Sequence, residues 1–273
     1  MKKIIGLIII LTLVLSLCAC GNKPAAEPKT ESNAVTQAQI EELIIGTWIV
    51  ADRSGQPAFT NEKGVFTFVS PTKGYLSASY NADPAHGRPW ADSLEAEVAI
   101  TDSKVTVTWP ASDGVVIEDE LSVSDITDTE TSGTMTVKSI KEGKETIKTE
   151  ETIRLVKLND DHATDILGIW EGHCTSEGSA FDDGQDHRWE YKNDGSYVYY
   201  VKDGDNWVAS ANELNEFFVA GNLLCTRWVD GGTEYREWWE ISINGDTMNW
   251  TALRKGEDGK GFTVTFEMNR VTE

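Results

Sequence analysis

A chain of 273 residues with 45 acidic and 24 basic side chains, formal charge −21, is long enough for two ordinary domains and is repelled by polyanions. That balance excludes nucleic acid and anionic lipid head groups as partners. It fits solubility at a crowded surface or, more sharply, a cationic ligand, and composition leaves both open.

The chain opens on Lys2-Lys3, runs apolar from Ile4 to Leu15, and leaves through small residues and cysteines. Those three regions make a secretory signal peptide over residues 1–19, too short to require a membrane span. Residues 20–39 read as a flexible tether: between 21 and 38 there is no aromatic side chain and a single branched aliphatic one, so the segment cannot bury enough to fold. A short helical turn is expected at Gln39–Leu43.

One phrase then occurs twice. Ile44-Ile45-Gly46-Thr47-Trp48 returns as Ile166-Leu167-Gly168-Ile169-Trp170, at a spacing the size of a domain. Recurrence at that distance marks a tandem duplication, with units at 40–158 and 163–273. In the first unit, short strands are expected at Gly64–Ser70, Gly74–Tyr80, Leu94–Ile100, Val105–Trp109, Val115–Leu121, Thr134–Ile140 and Thr146–Val156, with Val105 and Val107 on one face and Lys104, Thr106 and Thr108 on the other. A loop holding His86 and Trp90 interrupts them, and a Thr/Asp-rich spacer is expected at 124–132. The second unit repeats the plan around Asn193-Asp194-Gly195, Asp203-Gly204-Asp205, Gly221-Asn222, Asp230-Gly231-Gly232 and Asn244-Gly245, turns that favour positive φ. Its last strand puts Phe262, Val264, Phe266 and Met268 on one face. No helical period of any length appears, so the chain is all-β: two tandem antiparallel up-and-down β-barrels of about eight strands each.

Leu17-Cys18-Ala19-Cys20 resembles the lipobox of bacterial lipoproteins. The resemblance implies lipidation of Cys20 and an extracytoplasmic protein anchored to a bacterial membrane; the alternative is plain secretion with cleavage near Ala19. The repeated Gly-x-Trp resembles the first strand of lipocalin-like domains in bacterial surface lipoproteins. In that family the tryptophan closes the barrel floor and an arginine late in the last strand packs across its ring. The resemblance therefore implies structural floors at Gly46 and Trp48, and at Gly168, Trp170 and Arg270. Arg270 continues the inward series of the last strand, where a cation–π partner would offset its burial. Arg154 is the positional counterpart in the first unit, but it shares parity with Lys148, Glu150 and Thr152. Either a bulge flips the register there, or the first barrel lacks the lid.

Seven of the ten tryptophans fall in the second unit, and aromatic residues occupy both faces of several of its strands. One face fills space; the other meets water, a ligand or the other domain. Candidate ligand-binding residues are Trp189, Tyr191, Tyr199, Trp238 and Trp239. Cys174 and Cys225 are either one disulfide or two buried thiols. His173 beside Cys174 points to the opposite face, so the two make no metal pair. The oxygen-rich stretches at 182–187 and 203–206 match no EF-hand, and turn chemistry explains them without calcium. No nucleophile elbow, zinc helix, phosphate-cradling loop or dinucleotide fingerprint is present. The expectation is a non-enzymatic protein without cofactor or metal, attached to the membrane through its N-terminal lipid, that binds a small hydrophobic molecule or glycan in or at the mouth of the second barrel. The alternative is a structural or interaction module with filled barrels.

Overall fold

The computed structural model describes residues 34–77, 90, 92–111 and 114–272. The signal peptide, Cys20, most of the tether and the loop holding His86 lie outside them. Within them the chain is β throughout, apart from a helix α1 (Gln37–Leu43) and a 3-10 turn at Thr60–Glu62. No helix among the described residues is long and apolar enough to cross a membrane.

Helix α1 begins inside the stretch read as tether. Thr36 caps it, its hydroxyl accepting from the Gln39 N–H while the Gln39 side chain returns to the Thr36 backbone. The helix buries Ile40 and hands the chain to the buried Ile44, so seven residues too short to stand alone are held by packing.

The first sheet contains β1 (Gly46–Arg53), the two-residue β2 (Gln56–Pro57), β3 (Val65–Ser70), β4 (Lys73–Ser77), β5 (Leu94–Thr101), β6 (Lys104–Pro110), β7 (Val115–Ile126), β8 (Glu130–Lys141) and β9 (Lys144–Leu158). Neighbours in sequence are neighbours in the sheet, except that β1 pairs with β3 and also with β9. That pairing closes an eight-stranded meander and leaves only the short β2 as an appendage. The Thr/Asp-rich stretch is no spacer: β7 and β8 run into it, and Thr127 to Glu130 make the turn. Its hydroxyls serve the strands, Thr131 being buried with its Oγ1 donating to the Asp125 carbonyl and Ser124 donating to Ser132 O.

The second sheet contains β10 (Gly168–Cys174), β11 (His187–Tyr191), β12 (Tyr197–Asp203), β13 (Asn206–Ala209), β14 (Leu214–Ala220), β15 (Leu223–Asp230), β16 (Thr233–Asn244), β17 (Thr247–Lys255) and β18 (Gly261–Arg270). Its order is β13-β12-β11-β10-β18-β17-β16-β15-β14. It curls like the first, but its edges β13 and β14 do not pair. A single bridge, Ser196 to Glu216, joins β12 to β14, supported by the Phe217 N–H on the Gly195 carbonyl at 2.8 Å. The first barrel is therefore closed and the second is left ajar beside β13, a strand of four mostly exposed residues.

Three apolar clusters follow from strand parity. One fills the first barrel and another the second. The third lies between them: Ile49 and Val65 from the outer face of β1 and β3 meet Phe218, Leu223, Cys225 and Trp238 from the outer face of β14 to β16. The 3-10 turn completes the joint. Thr60 Oγ1 accepts from the Leu253 N–H at 2.8 Å, Asn61 accepts from Arg254, and Lys63 pairs with Glu240 at 2.9 Å. Residues 34–272 thus pack as one compact unit.

Candidate functional site

The repeated phrase builds the same object in both barrels. Trp48 and Trp170 are fully buried, and each donates its indole N–H to the carbonyl four residues back, Ile44 at 2.6 Å and Ile166 at 2.7 Å. A cation from the last strand lies over each ring. Arg270 stands opposite Trp170 in register, 4.2 Å from its centroid, and donates to the carbonyls of Leu167 and Asp165 at 2.6 and 2.7 Å. In the first barrel the residue opposite Trp48 is Lys157, 5.2 Å from the ring centroid and donating to Leu43 O. Arg154 does not take that place. It pairs with Asp52 and Glu130 beyond a register shift at Val50/Asp52, so the cation over Trp48 is a lysine three residues further on. The glycines have a steric reason. Gly46 and Gly168 sit at φ +131° and +117°, and a Cβ there would come within 2.5 Å of Lys157 Cε or 2.9 Å of Arg270 Nη1.

The two interiors then differ. Among the described residues, the first barrel encloses a void of about 20 Å³. The second holds a cavity of about 400 Å³, walled by inward residues of β11, β12 and β15 to β18 and by the β10–β11 and β13–β14 connections. Trp189, Tyr197, Tyr199, Trp239, Trp250 and Phe266 are its aromatic floor and sides, with ring centroids 4.7 to 6.0 Å apart where they touch. Phe181, on the β10–β11 loop, packs edge-on against Trp239 at 5.7 Å and roofs one end. Of the five aromatic residues proposed from sequence, Trp189, Tyr199 and Trp239 line this cavity. Tyr191 lies deeper, against Phe217 and Tyr197. Trp238 faces the other way, into the joint between the barrels, because it alternates with Trp239 on β16.

The polar residues were not foreseen. Glu237 shares the inward parity of Trp239 and Ile241, and Arg254 that of Met248, Trp250 and Ala252. Glu237 Oε2 accepts from the Trp239 indole at 3.1 Å, and Oε1 lies 3.3 Å from Arg254 Nη2. Glu237 is deep in the fold, yet its side chain keeps 26 % of its surface open, and that surface faces the cavity. Burial pushes the Glu237 carboxyl above its ordinary range, outweighing Arg254 and the indole N–H. Arg254 stacks on Trp239, 4.4 Å from the ring centroid, and on Phe181 at 5.7 Å; burial lowers its pKa, with Glu237 opposing. Its Nε, the buried Ser210 hydroxyl and the Trp250 indole N–H have no hydrogen-bond partner among the described residues.

At the rim, His187 bridges Asp183 and Tyr199. Nε2 lies 3.2 Å from Asp183 Oδ1 and Nδ1 lies 2.8 Å from the Tyr199 hydroxyl. Burial pushes Asp183 upward, but the Gln185 N–H and His187 hold it below its ordinary value. Burial raises Tyr199 as well. A tyrosine kept protonated orients a donor and acceptor; it is not poised to exchange protons near neutrality.

Of the two arrangements open for Cys174 and Cys225, the structure shows buried free thiols: Cys174 belongs to the interior of the second barrel, and Cys225 alternates outward into the joint. Phe262 begins the last strand 39 % exposed, so the buried series on β18 starts at Val264. His173 is exposed beside Asp186.

No family model matches the chain, and no curated protein does. Among solved structures, a likeness is found to "The Structure of Intact Ap-TbpB (N and C lobes)", at 10 % identity and a TM-score of 0.21. It covers 79 % of this chain, which spans 62 % of the length of that one. At that score the likeness carries no argument about either fold or task.

Proposed function

We propose that the protein is a lipid-anchored, extracytoplasmic binding protein without catalytic activity, and that the second barrel takes a small apolar or ring-bearing ligand. The observation that carries the reading is the contrast between the barrels: one is filled, and the other keeps about 400 Å³ walled by tryptophan and tyrosine. A volume of a few hundred Å³ with a few placed polar groups is what a small-molecule site requires. The first barrel, joined through Trp238 and the Thr60–Glu62 turn, serves as a rigid support. The lipobox-like Leu17–Cys20 and the acidic charge support the address, and the rings of Trp189 and Trp239 supply stacking surface.

Titration of tryptophan fluorescence with a panel of lipid, porphyrin and glycan probes tests it. Saturable quenching that Trp189→Ala weakens is the expected result; no saturable change with any small probe would sink the reading. The alternative, an interaction module with filled barrels, fits only the first.

A further inference from the structure

The cavity wall carries two carboxylates, Asp183 and Glu237, and among the described residues no lysine or arginine lines it. Arg254 lies outside the wall, stacked on Trp239 and bonded to Asn61 of the first barrel. It approaches Glu237 no closer than 3.3 Å, and the exposed part of Glu237 lines the cavity. Glu237 shares the cavity wall with Trp189, Tyr197, Trp239 and Trp250 and accepts from the Trp239 indole N–H.

Three ligand charges can be compared there. An anion would meet two carboxylates and would have to displace Glu237 to reach Arg254. A neutral apolar molecule would press hydrocarbon onto a carboxylate and replace none of the water it removes, which is unfavourable. A cation meets opposite charge and an aromatic wall in a partly open recess, where partial desolvation strengthens both attractions. The formal charge of −21 also draws cations toward the molecule.

We propose, resting on the reading of this cavity as a small-molecule site, that its ligand carries a protonated or quaternary ammonium group on an apolar or aromatic body, the cation seated between Glu237 and the rings of Trp189, Trp239 and Trp250. The unpartnered Ser210 hydroxyl and Trp250 N–H suit a neutral hydroxyl or carbonyl elsewhere on the same ligand.

The test is a charge series of one shape, followed by tryptophan fluorescence on the full chain: benzyltrimethylammonium, its uncharged isostere neopentylbenzene, and the anion phenylmethanesulfonate. The ammonium is expected to bind saturably and about tenfold more tightly than the isostere, with the sulfonate weakest. Glu237→Gln should abolish that preference by weakening the ammonium and not the isostere; a folded Glu237→Gln protein that keeps the preference overturns the proposed seat. Should this variant not fold, Asp183→Asn on the rim loop is expected to reduce the same preference, and a full preference there overturns the acidic wall as its source. If the isostere or the sulfonate binds as tightly as the ammonium, the ammonium proposal falls and the cavity reading stands. If none of the three produces saturable quenching, the ammonium proposal falls, and the cavity reading falls with it only if the lipid, porphyrin and glycan panel is silent too.

Discussion

At the scale of single residues, the clearest physical statement concerns the two capped tryptophans. Each is fully buried, bonded through its N–H and covered by a cation that bonds in turn to carbonyls of the segment leading into its own strand. Trp170→Ala and Trp48→Ala are each expected to cost about 3–5 kcal/mol, read as a fall in the urea midpoint at constant slope. Glu237 supplies a pH-dependent counterpart. Its carboxyl is raised by burial, so below the ordinary glutamate range both folded and unfolded states hold the proton and no penalty applies. As pH climbs from there toward the raised value, the folded state resists ionisation and loses stability relative to the unfolded chain. Wild-type stability should therefore fall relative to Glu237→Gln as pH rises through and above the ordinary glutamate range, and a constant difference there would contradict the assignment. The tryptophan pattern could be read directly from the repeated phrase. Glu237 and Arg254 obey the same parity, since both share the inward face with named core residues, but nothing local distinguishes them from the many charges that face solvent.

At the scale of elements, parity explains most of what the strands do. Leu224, Thr226 and Trp228 point into the second barrel while Leu223, Cys225 and Arg227 point out, and the two buried thiols part company for that reason alone. Cys225 is completely buried and burial raises its thiol, so it should stay unmodified by a thiol reagent in native buffer and label fully in denaturant, as peptide mass spectrometry would show. The β10–β11 connection depends on longer-range contacts. Phe181 rests on Trp239 and under Arg254, and Asp183 is tied to His187. Phe181→Ala should cost about 1–2 kcal/mol, part of the value for a fully buried ring, and raise acrylamide quenching of the cavity tryptophans. Nothing local announced that this loop roofs a cavity. Its oxygen-rich composition reads as turn chemistry, and turn chemistry is present: the Gly178 N–H binds Asp182 and the Gln185 N–H binds Asp183.

At the scale of the molecule, the two barrels are joined by an apolar seam and by a turn from one that bonds to strands of the other. Trp238, which sequence reading placed among ligand-binding residues, is central to that seam, with Trp90 held against it at 6.5 Å and clasped by Arg227 and Arg236. The barrels should therefore unfold together. Trp238→Ala is expected to lower stability by about 3–5 kcal/mol and to split a single calorimetric transition into two, whereas it should leave small-molecule quenching at the second barrel in place.

Patterning along the chain suffices to establish an all-β protein built on a duplicated plan, because alternation of apolar and polar residues, turn glycines and a recurring Gly-x-Trp are local properties. The extent of β7 and β8, the lysine that covers Trp48, and the outward turn of Trp238 and Cys225 were settled by register and packing between distant strands. So was the difference between the barrels. Both carry the same opening phrase, but only pairing of β1 with β9 closes the first, while the short β13 leaves the second ajar around its rings and its carboxylate. Closure and cavity volume depend on how edges meet and side chains fill space, and neither is written in any single stretch of the sequence.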